Sequence, residues 1–191
     1  PIAPAERDLA LELLADTWPL MRRTLYMNDF VLNDSSMFPL TVERAWWSMA
    51  NKHSLAEWFP QRSSDLHLDA SKVRRYIDEK KDAVAQAGRW AERLRKARSE
   101  MLPGGTAVST LLRYIEGFRL VGEVCLLSAW LDQDAAAGCR GQLADAGAAL
   151  GAYAVDLRRW LEANEHRHQL AMLMNPDRAE AIAAGAAGRL V

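Results

Sequence analysis

Residues 107–131, AVSTLLRYIEGFRLVGEVCLLSAWL, decide the fold. Leu111, Leu112, Ile115, Phe118, Val121, Cys125 and Trp130 recur at helical spacing, and apolar residues cover most of the helix circumference. A helix that is apolar nearly all round needs neighbours on every side. The segment is therefore predicted to lie at the centre of a helical bundle. Its richest run, Val121 to Leu131, is broken by Glu123 and is shorter than the ~20 residues that span a bilayer.

The flanks read as further helices. Pro103-Gly104-Gly105 stops whatever precedes the central helix, and Thr106 is placed to cap it. Upstream, Ser71 to Met101 carries Val73, Ile77, Val84, Ala87, Ala91 and Leu94 on one face and charges on the other. Downstream, Asp132-Gln133-Asp134 makes a break. A third long helix is expected from about Ala135 to His166 or beyond, with Leu143, Leu150, Tyr153, Leu157 and Leu161 as its core face. Its many alanines allow close approach of a neighbouring helix. Asn175-Pro176 then opens a last short helix that is expected to fray in the Ala/Gly-rich tail. Short connections force antiparallel neighbours, so residues 71–170 read as an up-down-up bundle.

Towards the N-terminus, Pro4 suits a first helical turn, and Leu9, Leu13, Leu14, Met21 and Leu25 read as one buried stripe. Pro19 is expected to kink or divide this helix near Thr17 and Trp18. Residues 26–40, YMNDFVLNDSSMFPL, read as a loop with apolar anchors, because Asn-Asp and Ser-Ser pairs favour turns. Thr41 is placed to open a helix through Ala50. Ser54 with Glu57 forms a capping box for a short helix that Pro60 ends. The expectation is an all-α protein. One helical domain covers 1–191, with an irregular Trp-rich part within 1–68, the long-helix bundle at 71–170 and a short helix and tail at 175–191.

Charge argues against nucleic acid, since 24 Lys+Arg are balanced by 25 Asp+Glu and no basic stripe stands out. Lys80-Lys81 and the basic positions from Arg89 to Arg98 are interleaved with acids and read as a solvated, ion-paired face. Cys125, within an apolar run, reads as a small buried hydrophobe, and its pairing with Cys139 stays open. No metal is expected. His166 and His168 diverge by roughly 200° on a helix, whereas zinc helices place ligands at i and i+4. Signatures for nucleotide loops, nucleophile elbows and zinc proteases are absent, no cofactor is implied, and enzymatic activity stays undecided. The first residues lack the pattern of a signal peptide. With no membrane-spanning segment either, a cytoplasmic location is expected if this is the full-length chain. The chain starts at Pro1, which also agrees with a piece cut from something longer.

Candidate chemistry concentrates in residues 18–68, which hold Trp18, Trp46, Trp47 and Trp58 of the seven tryptophans. Adjacent Trp46 and Trp47 point about 100° apart on a helix, so one of them is expected at an interface. The plain reading is that both pack in the core or at its rim. The functional reading joins Trp46, Trp47, Trp58 and Tyr26 with Asn28, Asp29, Glu43, Arg44 and His53 as a platform for a sugar or another polar ring.

The stretch from Met37 to Ser48 resembles the segment with which bacterial hexosaminidase-type glycoside hydrolases leave their catalytic barrel. Phe38-Pro39, Glu43-Arg44 and Trp47-Ser48 carry the resemblance. The arginine usual after Phe-Pro is Leu40 here, and the Asp-Glu pair of that family's chemistry has no counterpart. The resemblance implies a non-catalytic helical module beyond the barrel of a carbohydrate-active hydrolase. Its partners would be a carbohydrate or the adjacent catalytic domain. The alternative is a self-standing helical protein–protein interaction or regulatory domain, in which these aromatics meet protein. The oligomeric state is left open.

Overall fold

A computed structural model describes residues 4–27, 30–31, 68–100, 106–133, 138–163 and 174–190. Among the described residues the fold is an all-α antiparallel bundle of three long helices with an N-terminal helix against it. In chain order these are α1 (Pro4–Leu25), the short strands β1 (Tyr26–Met27) and β2 (Phe30–Val31), then α2 (Ala70–Glu100), α3 (Thr106–Asp132), α4 (Cys139–Ala163) and α5 (Pro176–Gly188).

Pairs across each seam fix the directions. Glu12, Asp16 and Arg23 of α1 meet Arg93, Trp90 and Gln86 of α2, so these helices run antiparallel. Arg95 meets Glu116, and Val84 lies against Gly122, which reverses α3 on α2. Arg113 and Gly117 of α3 face Asp156 and Tyr153 of α4. Gly147 and Gly151 of α4 face Ala186 and Ala183 of α5, the close approach that the small residues were expected to permit.

The segment from 107 to 131 sits at the centre, as its all-round apolarity requires. Val108, Leu112 and Ile115 join Leu13, Leu20, Ala83, Ala87, Trp90, Ala91 and Leu94 in a core shared by α1, α2 and α3. Further along, Phe118, Val121, Val124, Cys125 and Leu127 join Leu143, Leu150, Leu157, Met174 and Ile182 in a second core with α4 and α5. Each fully buried leucine contributes about 1.5–3 kcal/mol. Cys125 and Cys139 are both buried, and neither forms a disulfide.

Local chemistry sets the ends. Asp69 caps α2, accepting from the amides of Ser71 at 2.8 Å and Lys72 at 3.0 Å. The Ser71 hydroxyl first, and then the Lys72 amide, hold its carboxyl far below the usual carboxylate range. Asn175 caps α5 by accepting from the Arg178 amide at 2.7 Å, with Pro176 at the first helical position.

Five sequence expectations are corrected. Helix α1 runs unbroken through Pro19. The bond that proline removes would have gone to the carbonyl of Ala15, a residue on the exposed side of the helix that solvent reaches. Leu14 is exposed, and Leu20 takes the place in the core that the spacing gave it. Tyr26–Met27 and Phe30–Val31 form a small antiparallel ladder, with Tyr26 opposite Val31 and Met27 opposite Phe30. Helix α4 begins at Cys139, not Ala135, because Gly138 holds φ at +133°, which only glycine adopts without strain. The tail does not fray before Gly188: Arg189 donates to the Ser128 carbonyl at 2.9 Å and pairs with Asp132, tying the end of α5 to α3.

Candidate functional site

Helix α1 carries two apolar stripes at helical spacing. Leu9, Leu13 and Leu20 turn inward onto α2 and α3. Leu11, Leu14 and Trp18, spaced three and four residues apart, turn outward with 58%, 55% and 56% of their surface exposed. Both stripes satisfy one periodicity, so spacing alone does not say which is buried. The packing does. Trp90 donates its indole N–H to Asp16 at 3.0 Å, and Arg93 grips Glu12 through both nitrogens at 2.8 and 2.7 Å. These bonds seat one side of α1 on α2 and turn the second stripe away from the bundle. Arg93 also stacks on the Trp90 ring at 4.2 Å, and its bonds hold the Glu12 carboxyl below its ordinary value.

Around the outer stripe the polar residues are few. Arg7 and Asp8, both exposed, pair with each other one turn before Leu11, and exposed Ala15 follows Leu14. Three large apolar side chains in line on one helix face, with a cation at one end, is the geometry of helix-on-surface recognition. The sequence contained this stripe, but Leu14 was read into the core, and Leu11 and Arg7 drew no reading at all.

A second polar group lies inside the fold. Lys80, expected on a solvated face, is wholly buried, at 0% exposure, whereas Lys81 beside it is exposed. Helix α2 is covered on two sides, by α1 and by α3, and position 80 falls between them, with its ammonium on the last turn of α1 and Cys125 of α3 nearby. The ammonium donates to the Arg23 carbonyl at 2.5 Å, lies 3.5 Å from a Glu79 oxygen and sits 5.0 Å from the centre of the Tyr76 ring. Arg23 is in the last turn of α1, where carbonyls lack an intrahelical donor and the dipole favours a cation. Lys80 is thus a cap supplied across a helix interface. Burial lowers its basicity, partly opposed by Glu79, and burial also raises the Tyr76 hydroxyl and the Cys125 thiol. The group has the makings of a nucleophile, but its full burial fits a clamp between helices better than contact with substrate.

A further polar atom inside the fold is the hydroxyl of half-buried Tyr153, whose ring crosses α3 over Gly117. A Cβ at Gly117 would lie 2.6 Å from its Cζ atom, so only glycine leaves room. Its hydroxyl is buried without a hydrogen-bond partner, and burial raises its pKa.

Among the described residues no group of three or more His, Cys, Asp or Glu side chains is placed to hold a metal, and no helix is long and apolar enough to cross a membrane. Of the aromatic platform, Tyr26 stands in β1, one residue after α1 ends. Trp46, Trp47, Trp58, Asn28, Asp29, Glu43, Arg44 and His53 lie outside the described residues, as do the helices expected at 41–50 and from Ser54, and His166 and His168. No protein-family model, curated protein or solved structure matches the chain.

Proposed function

We propose that this protein is a helical interaction module and that its working surface is the outer face of α1. The observation that carries the reading is the outward alignment of Leu11, Leu14 and Trp18 on a helix whose other side is fastened to the bundle. Large apolar side chains in a continuous exposed row mark places where protein binds protein. Two polar side chains support the same reading, because each ties one helix to another: buried Lys80 holds α1 to α2, and half-buried Arg189 holds α5 to α3. A rigid bundle that presents one helix is suited to docking.

Site-specific photo-crosslinking tests this. A benzophenone side chain at Leu14 should give a discrete protein adduct in cells that express the full chain. The same group at Val155, an exposed apolar position on α4, should give none. Equal yields at the two positions, or no adduct at Leu14, would sink the proposal. The carbohydrate reading rests on the sequence around Phe38-Pro39, Glu43-Arg44 and Trp47-Ser48 and carries its own test, a tryptophan-fluorescence titration with N-acetylglucosamine oligomers.

A further inference from the structure

We draw no further inference here: the strongest candidate, the outward-facing apolar row of Leu11, Leu14 and Trp18 on α1, belongs to the docking surface already proposed, and nothing in the structure shows what covers it.

Discussion

Replacing Lys80 by methionine keeps an unbranched chain of similar length in the core and removes the ammonium. At neutral pH two effects oppose each other. The Arg23 carbonyl loses its donor, which costs about 1–3 kcal/mol, while the fold no longer has to desolvate a cation. The absolute change at one pH therefore says little, and the pH slope says much. Burial lowers the pKa of Lys80 in the folded state below its ordinary value of 10.5. Between the lowered value and 10.5 the unfolded chain binds the proton that the folded chain has released, so stability rises with pH. Below that window both states are protonated and the contribution is flat. The slope reaches about 1.4 kcal/mol per pH unit for one group.

Tyr76 and Cys125 act with the opposite sign. Burial raises both, so the unfolded chain loses their protons first and stability falls as pH rises past about 9. These two groups remain in the variant. The Lys80 charge lowers the Cys125 thiol, so its loss raises that thiol further and steepens the variant's decline. Urea unfolding of wild type and Lys80→Met from neutral pH to about 11 should give two curves that diverge, with the wild type gaining relative to the variant as pH rises. Parallel curves across that range would refute a desolvated Lys80 at the α1–α2 junction.

Other perturbations probe other parts of the bundle. Leu150→Ala opens a cavity in the α3–α4–α5 core and should cost about 3 kcal/mol, lowering the melting midpoint by roughly 10 °C, whereas Val155→Ala five residues on should change it little. Tyr153→Phe removes a buried hydroxyl that has no partner and should leave chemical-denaturation stability unchanged or slightly raised. Gly117→Ala sets a methyl against that same ring and should destabilise by about 1–3 kcal/mol, less the gain of roughly 1 kcal/mol that alanine brings to a helix. Asn175→Ala removes the cap of α5 and should cost about 1 kcal/mol, seen as faster amide exchange at Arg178.

The parts of the fold legible in the sequence are those where one pattern has one physical meaning. An apolar surface over most of the circumference of the segment from Val108 to Leu127 leaves no place but the centre. Leu143, Leu150 and Leu157 at sevenfold spacing can only form a seam, and all three are fully buried. The illegible parts are those where two meanings share a pattern. Leu13 and Leu14 are neighbours on α1, both apolar, and only the position of Trp90 and Arg93 on α2 decides that one goes in and the other out. Lys80 reads as surface in any single helix, because its partner is a backbone carbonyl contributed by another. Pro19 reads as a break until its orphan carbonyl is placed towards solvent. The candidate site was missed for the same reason: an exposed row of leucines looks like a core row until the core is known. Trp46, Trp47 and Trp58, on which the sequence reading centred, lie outside the described residues.

The claim that the outer face of α1 is a docking surface meets its most direct test in hydroxyl-radical footprinting of Trp18, Leu11 and Leu14 in two settings. In dilute purified protein, where exposure exceeds half for each residue, all three should react readily. Inside cells that express the full chain they should be protected, while exposed Val155 reacts equally in both settings. Reactivity at Trp18, Leu11 and Leu14 that is the same in the cell as in dilute solution would contradict the claim.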